Sequence, residues 1–206
     1  MYNRIFVRKM GMNDLEKIKK NIALCISLST EEWCKLEHVI KRKAIKKNES
    51  FLKEDIVCDF IAYVDKGALI YYKSLDNGDE ITTDFAFENE WVTNNYSRLK
   101  KLPSHLNIKA IEDSELFFIQ NSDLERLYVE IPALERFGRI LMEQAYVKLV
   151  QLSIDLQTLS ATDRYLNLLE SYPEIFQKVP LYHIANYLGI APKSLSRIRN
   201  GLFSEK

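Results

Sequence analysis

A group of cationic and small polar side chains near the C-terminal end of the sequence offers the clearest chemistry. No acidic residue occurs between Ile190 and Leu202, and this stretch contains Lys193, Ser194, Ser196, Arg197, Arg199 and Asn200. Arginine and lysine donate hydrogen bonds to O6 and N7 of guanine in the major groove. Small hydroxyl and amide groups suit the phosphate oxygens. The stretch therefore predicts a surface that contacts double-stranded DNA.

Two short helices are predicted to hold this group. The first has one apolar face, formed by Leu181, Ile184, Ala185 and Leu188. Gly189 follows, where a positive φ would end the helix, and Pro192 takes the first position of the next helix, where its missing N–H costs nothing. On the second helix the buried stripe consists of Leu195, Ile198 and Leu202. This pattern predicts a helix-turn-helix, although an ordinary helical hairpin with a solvated basic face fits it as well.

The middle of the chain has the period-two pattern of short β-strands. Strands are predicted over residues 60–64, 68–73, 81–87, 108–111 and 115–119. The Asn77-Gly78 pair between the second and third of these predicts a hairpin turn. Short strands with turns every eight to twelve residues indicate a sandwich or a barrel.

Helical patterns flank the strands on both sides. Residues 1–43 are predicted to be helical, with a capping signal where Ser29 or Thr30 precedes Glu32. A long helix is predicted from Asp123 to about Ser160. Its residues Leu149, Leu152, Leu156 and Leu159 alternate in steps of three and four, and Ala145 and Leu141 extend the series upstream. This spacing is typical of a seam between two helices, and the length of the helix favours a seam with a second copy. A helix packed on its own domain is the alternative.

Composition excludes several other classes of protein. The chain has 206 residues, with 29 Lys plus Arg against 29 Asp plus Glu, so binding through bulk positive charge is excluded. No apolar run is long enough for a transmembrane helix and no signal segment begins the chain, so we expect a cytoplasmic protein without membrane contact. Three irregularly spaced cysteines, Cys25, Cys34 and Cys58, support neither disulfides nor a metal site.

The order of these parts, barrel then long helix then helix-turn-helix, resembles the Crp/Fnr family of bacterial transcription regulators. Lys66-Gly67 resembles the family's strand–glycine–strand signature, and residues 87–92 lie where the family has its phosphate-binding cassette. Residues 161–166 resemble the hinge side of the family's DNA-binding domain, and residues 188–198 resemble its turn and recognition helix.

The resemblance implies an α+β fold. It consists of an N-terminal double-stranded β-helix (jelly-roll barrel) with flanking helices, a long dimerisation helix and a small C-terminal helix-turn-helix domain. The expected domains are a cyclic-nucleotide-binding-like sensor at 1–132, the dimerisation helix at 133–160 and the DNA-binding domain at 161–206. Because the sequence stops soon after Leu202, the family's β-wing is expected to be missing or minimal.

The resemblance also implies a homodimer that reads an inverted repeat in double-stranded DNA and contacts RNA polymerase. Arg197 matches a base-reading arginine of the family and Ser194 a phosphate-contacting position, whereas Lys193 replaces an acidic residue that reads cytosine. We therefore expect a different operator from that of the cyclic-AMP regulator. No catalytic residue, cofactor or metal is expected.

The expected ligand site departs from the family pattern. Cyclic-nucleotide binders of the family have a Gly-Glu pair and a later Arg-Ser or Arg-Thr, but this chain has Asn89-Glu90 and Ser104-His105. Losing the arginine removes a charge-assisted contact to phosphate, so the effector, if there is one, is expected not to be cyclic AMP. Arg98, Lys100 and Lys101 lie nearby and could serve another anion, but a solvated loop is the expected place for them. The candidate ligand residues are Phe87, Glu90, Trp91, Tyr96, Ser104 and His105.

Two other functions remain open at this point. A cupin-like enzyme on the barrel would need clustered histidine ligands, but His38, His105 and His183 are scattered. A barrel sensor that acts through protein–protein contacts, with a vestigial DNA-binding domain, is the other alternative.

Overall fold

The computed structural model describes residues 15–204, so the expectation for residues 1–14 lies outside the described part. The helices are α1 Glu16–Ala23, α2 Thr30–Val39, α3 Asn95–Lys100, α4 Asn121–Glu130, α5 Pro132–Thr158, α6 Ala161–Ser171, α7 Ile175–Lys178, α8 Leu181–Tyr187 and α9 Pro192–Ser204. The strands are β1 Lys41–Ile45, β2 Ser50–Leu52, β3 Phe60–Lys66, β4 Leu69–Ser74, β5 Glu80–Ala86, β6 Trp91–Val92, β7 Asn107–Ala110 and β8 Ser114–Gln120.

The eight described strands form two four-stranded sheets, which confirms the jelly-roll prediction. One sheet has the order β1-β8-β3-β6 and the other has the order β2-β7-β4-β5, and their strand pairs are antiparallel. The β4–β5 hairpin turns at Gly78, whose φ is +86°. The side chain of Asn77 accepts the backbone N–H of Asp79 at 3.0 Å in the same turn. The local turn signal was therefore sufficient to predict the hairpin.

Three apolar clusters hold the layers together. Between the sheets, residues such as Val64, Leu69 and Leu116 are fully buried. On the outer face of the β3–β8 sheet, Tyr63 and Phe117 pack against helices α1, α2, α4 and the start of α5. On the outer face of the β4–β5 sheet, residues such as Phe85 pack against helices α6–α9. The barrel is thus enclosed between two helical layers.

The predicted bounds of two helical segments were wrong. The expected helix up to residue 43 gives way to strand β1, which pairs along its whole length with β8. The expected single helix from 123 to 160 is divided at Ile131 (φ −134°, ψ 86°), directly before Pro132. A residue before proline is disfavoured in helical conformation, so α4 ends there and proline begins α5.

Helix starts follow the local capping rules closely. Ser29 and Glu32 form a reciprocal capping box at the start of α2, as the sequence predicts. Ser160 caps α6, its hydroxyl accepting the N–H of Asp163 at 3.2 Å. The two residues between α5 and α6, Leu159 and Ser160, are both extended.

The C-terminal helices include the helix pair that the sequence predicts, α8 and α9. Gly189 follows α8 with a φ of +67°, and Pro192 is the first residue of α9. Arg164 fixes this turn to the end of α5. Its guanidinium donates from Nε and Nη2 to the carbonyl of Leu188, at 3.1 and 2.9 Å, and from Nη1 to the carbonyl of Leu159 at 2.7 Å.

Residues 15–204 contain no helix of the length and apolarity that a membrane crossing requires. Within the same residues, no three His, Cys, Asp or Glu side chains are grouped as metal ligands would be.

Candidate functional site

Helix α9 presents most of the predicted DNA-binding residues on its outer side. Lys193, Ser196, Arg197 and Asn200 are exposed. Leu195 on the opposite side is fully buried against the other C-terminal helices. This division produces a surface with positive charge and no acidic residue, held by an apolar face.

The remaining two predicted residues lie differently. Ser194 is half-buried. Arg199 lies back over its own domain, with its guanidinium 5.1 Å from the centre of the Phe176 ring. Its Nε is buried and has no hydrogen-bond partner in the described part of the chain. Arg199 therefore packs against Phe176 of α7 and does not lie on the outer side of α9. Four of the six predicted residues form that outer side.

Helix α8 is docked on the barrel. The Tyr182 hydroxyl and the Asn186 side-chain amide both donate to the backbone carbonyl of Glu80, at 2.7 and 2.6 Å. Nδ1 of His183 lies 2.7 Å from the Thr82 hydroxyl. Burial lowers the pKa of His183, and the Lys109 cation adds to this while Glu80 opposes it. The polar residues of α8 are thus engaged by strand β5.

Helix α5 has two apolar faces rather than one. Of the predicted seam, Leu141 packs on the helical layer above the β3–β8 sheet. Leu152 borders a cleft with Leu168 and Leu188 of the C-terminal helices, and Ala145 borders a cavity against the barrel. Leu149 and Leu156 are 64% and 44% exposed. The dimer seam at Leu141, Ala145, Leu149, Leu152, Leu156 and Leu159 stays a prediction.

The other face of α5 lies in the open. Ile140, Val147 and Ile154 are spaced by seven residues, so they lie above one another along the helix. Val147 and Ile154 are 65% and 46% exposed, and Val150, between them on the same side, is 38% exposed. Val147 is therefore the most exposed residue of this second stripe, and Ile140 is half-buried.

A cavity of about 630 Å³ lies between α5 and the edge strands β5 and β6 of the two sheets. We call it the α5 cavity; residues on its boundary include Trp91, Thr93, Arg98, Tyr128, Gly138 and Lys148. Its volume falls in the usual range for small-molecule sites, about 300–1,000 Å³.

The predicted ligand residues do not converge on one place. Glu90 and Trp91 border the α5 cavity. Phe87 packs on Tyr172, the residue that follows α6, with ring centres 5.1 Å apart. Tyr96 is half-exposed and its ring meets that of His105 edge to face at 4.9 Å. Whether any of them binds a ligand stays a prediction.

Asn89 adopts the backbone conformation that glycine would have in the family pattern. Its φ is +71°, in the left-handed region that asparagine tolerates better than most residues. The Tyr63 hydroxyl donates to Oδ1 of Asn89 at 2.8 Å, and the Asn21 side-chain amide donates to its carbonyl at 3.1 Å. The departure from glycine therefore leaves the turn before Glu90 intact.

Ser104 is engaged by its own segment. The residue is 1% exposed, and its hydroxyl accepts the Asn94 side-chain amide at 2.7 Å while donating to the Leu106 carbonyl at 2.6 Å. Asn94 also caps α3 by accepting the N–H of Ser97. His105 beside it is exposed.

A polar network joins the cavity to the C-terminal helices. Lys148 of α5 forms an ion pair of 2.7 Å with Asp84 of β5. The hydroxyl of Tyr172 donates to Oε1 of Glu90 at 3.3 Å, and the N–H of Phe87 donates to Oε2 at 2.9 Å. Burial raises the pKa of Glu90, and these donors oppose the rise only in part. Sequence reasoning missed Asp84, Lys148 and Tyr172 because their proximity depends on the docking of distant segments.

Comparison with known proteins gives these features a context. A family model described as the cyclic nucleotide-binding domain matches residues 42–130. The transcriptional activator Anr of Pseudomonas aeruginosa is 25% identical over 200 residues, which cover 89% of this chain and 81% of that protein. The activator FnrA of Stutzerimonas stutzeri is 25% identical over 198 residues, covering 88% and 80%. Both relatives are named as transcriptional activators.

The fold is similar to that of two solved structures. FixK2 from Bradyrhizobium japonicum superposes with a TM-score of 0.70 at 20% sequence identity, covering 81% of this chain and 86% of that one. A crp/fnr-family regulator from Eubacterium rectale gives a TM-score of 0.65 at 20% identity, covering 86% and 85%. The similarity extends through the barrel and beyond it.

Proposed function

We propose that the chain is a transcription regulator of the Crp/Fnr family and a homodimer that reads an inverted repeat in DNA. The match of residues 42–130 to the cyclic nucleotide-binding domain and the similarity to the activators Anr and FnrA support this proposal. One α9 helix of each protomer enters the major groove, in successive grooves about 34 Å apart. The observation that carries this proposal is the outer side of α9, where Lys193 and Arg197 are exposed without an acidic neighbour on the helix.

Dimerisation is supported by the uncovered apolar stripe of α5. Val147, Val150 and Ile154 repeat at the spacing of a two-helix seam, and exposed apolar surface of this kind on a long helix favours pairing with a second copy. We propose that this stripe contributes to the dimer contact, alongside or instead of the predicted seam that includes Leu149.

The two seams are separable by experiment. Val147→Asp and Leu149→Asp each place a charge on one face of α5. If the uncovered stripe pairs, Val147→Asp sediments as a single protomer while Leu149→Asp remains a dimer. The reverse result would favour the predicted seam, and a wild-type chain that sediments alone at micromolar concentration would contradict dimerisation altogether.

We further propose that the α5 cavity receives the effector and that this effector is not cyclic AMP. At the place where the family has its phosphate-binding arginine, Ser104 and His105 supply no permanent cation, and the Ser104 hydroxyl is already bonded within its own segment. Titration calorimetry with cyclic AMP is expected to give no saturable heat.

The contact between Tyr172 and Glu90 suggests how an effector would act. Glu90 borders the cavity and accepts a hydrogen bond from the C-terminal helices. A ligand that binds one arrangement of these helices better than another shifts their populations. We propose that the shift occurs about the extended residues Leu159 and Ser160. Free and DNA-bound crystal structures with the same angle between barrel and α9 would contradict it.

The decisive test of the function is selection of bound DNA from a random pool, with the full chain at low salt. An inverted repeat whose half-sites are one helical turn apart is expected. Failure to retain any duplex would contradict DNA binding and favour a sensor that acts through protein contacts. RNA polymerase, as the partner on the promoter, and a cytoplasmic location belong to the same proposal.

A further inference from the structure

Arg98 on the short helix α3 is a buried cation without a counter-charge. The residue is 8% exposed. Its Nη1 donates to Oδ1 of Asn121 at 3.0 Å and its Nη2 donates to Oδ1 of Asn95 at 3.1 Å. Both acceptors are neutral amides, and within residues 15–204 no carboxylate forms an ion pair with this guanidinium. Its Nε is buried and has no acceptor there.

This placement differs from the solvated loop that the sequence predicts. Burying a charge is costly unless it is paired, and two neutral acceptors compensate only part of the loss. Of the five N–H donors of a guanidinium, two are used in the hydrogen bonds to Asn121 and Asn95. The arrangement favours an anion as the missing partner.

The guanidinium borders the α5 cavity, where a ligand could reach it. Tyr128 of α4 and Asn95 of α3 border the same cavity. A Cβ atom on Gly138 would lie 2.2 Å from the Tyr128 hydroxyl oxygen, so glycine at this position lets that hydroxyl approach α5. Burial raises the pKa of Tyr128 while the charge of Arg98 lowers it, which places the two groups in one electrostatic environment.

The acidic residues of the cavity are occupied elsewhere. Asp84 is paired with Lys148 at 2.7 Å. Glu90 accepts hydrogen bonds from Phe87 and Tyr172, and its raised pKa disfavours its charged form. Arg98 is therefore a cation that pairs with neither carboxylate of the cavity boundary, and the Tyr128 hydroxyl is a further potential donor. Arg98 also borders a second pocket together with Asp59 and Glu125.

We propose that Arg98 is the anchor of an anion subsite in the α5 cavity, and that the effector is a small organic anion carrying a carboxylate or a phosphate. Planar guanidinium groups bind both anions through paired N–H donors. The subsite lies on α3 and does not use residues 104–105. The inference deepens the proposed function, since it rests on the α5 cavity as the effector site.

The test uses the full chain and two probes, inorganic phosphate and acetate, titrated at constant ionic strength with chloride. Trp91 borders the cavity and Trp33 does not, so the fluorescence of Trp91 reports binding. We expect a saturable change for at least one probe, weakened at least tenfold in Arg98→Gln and less in Arg98→Lys. Whichever probe binds more tightly identifies the anion class. Arg126→Gln, an exposed arginine on α4, is the matched control.

An equal response in wild type and Arg98→Gln, or no response to either probe beyond that of chloride, would overturn the proposal. If Arg98→Gln does not fold, Tyr128→Phe provides the second variant. Tyr128→Phe keeps the charge of Arg98 and is expected to weaken anion binding severalfold. If anion binding is unchanged both in a folded Tyr128→Phe and in Arg98→Lys, the proposal is overturned as well. DNA binding is measured on the same samples. If the wild-type chain binds DNA but neither anion, this inference fails and the proposed DNA binding stands. If it binds an anion through Arg98 but retains no DNA, the proposed function fails and the anion subsite stands.

Discussion

Helices α8 and α9 are neighbours in one helix pair, yet the polar residues of α8 contact the barrel and most of those of α9 are exposed. On α8, Tyr182, His183 and Asn186 contact the backbone or side chains of strand β5. On α9, Lys193 and Arg197 are exposed. The polar residues of α8 thus attach the helix pair to the barrel, whereas Lys193 and Arg197 of α9 are available for the DNA contacts that we propose. Substitutions on the two helices should therefore have separable effects.

Arg197→Ala on α9 should have the largest effect of these substitutions. Loss of a guanine contact is expected to cost about 1–3 kcal/mol in operator binding, which corresponds to about 5- to 150-fold in Kd. Gel-shift titration against the selected operator measures the loss, and Arg126→Ala on α4 is the control. Thermal unfolding should not change, because Arg197 is exposed. Unchanged operator binding would remove Arg197 from the recognition surface.

Gly189→Ala tests the turn that joins the two helices. At a φ of +67° any residue with a Cβ is strained, at a cost of about 1–2 kcal/mol. The added atom would lie 3.5 Å from the nearest carbon of Leu156, an ordinary contact, so the cost comes from the backbone alone. Urea unfolding measures it. Gly201→Ala on α9, which has open space and no positive φ, should be neutral or stabilising; equal destabilisation of both variants would contradict the explanation.

Asn186→Ala on α8 should affect docking and not DNA affinity. The side-chain amide donates to the Glu80 carbonyl at 2.6 Å, and removing such a bond costs about 0.5–1.5 kcal/mol. We expect a lower unfolding midpoint and faster proteolysis between α5 and α6. A loss of operator affinity as large as that of Arg197→Ala would contradict the separate roles of α8 and α9.

The smallest effect is expected from pH. The lowered pKa of His183 comes mainly from its burial, with Lys109 adding to it and Glu80 opposing it. His183 therefore binds a proton less readily when α8 is docked on the barrel than when α8 is undocked. Docking is at full strength above the ordinary histidine pKa of about 6.5 and weakens as pH falls below it. The unfolding midpoint of wild type should fall more steeply than that of His183→Gln below this pH; parallel curves would contradict the assignment.

Local signals in the sequence predicted the parts of the fold that depend on a few neighbouring residues. The capping box at Ser29, the hairpin at Gly78 and the turn at Gly189 each follow from side-chain or backbone requirements within four residues. The break before Pro132 has the same kind of signal, but the apolar pattern on both sides of it suggested one continuous helix.

The sites that depend on distant segments could not be predicted in this way. Arg98 was expected in solvent because arginine is usually exposed, but Asn121, 23 residues further on, accepts one of its hydrogen bonds within the fold. The leucine pattern on α5 predicts a helix seam, which stays a prediction, and the structure adds a second apolar stripe at Val147 and Ile154, which are 65% and 46% exposed. Periodicity identifies apolar faces, but which face meets which neighbour is decided by the tertiary structure.

Arg164 has a consequence for the geometry of the whole assembly. By donating to the carbonyls of both Leu159 and Leu188, it connects the last turn of α5 to the bend that precedes α9. In the proposed dimer paired along α5, a change in the crossing angle of the two long helices would then move the two α9 helices while these hydrogen bonds hold, and a shift about Leu159 and Ser160 would act on the same connection. The spacing of the two half-sites would thus depend on how the α5 helices cross, far from any base pair.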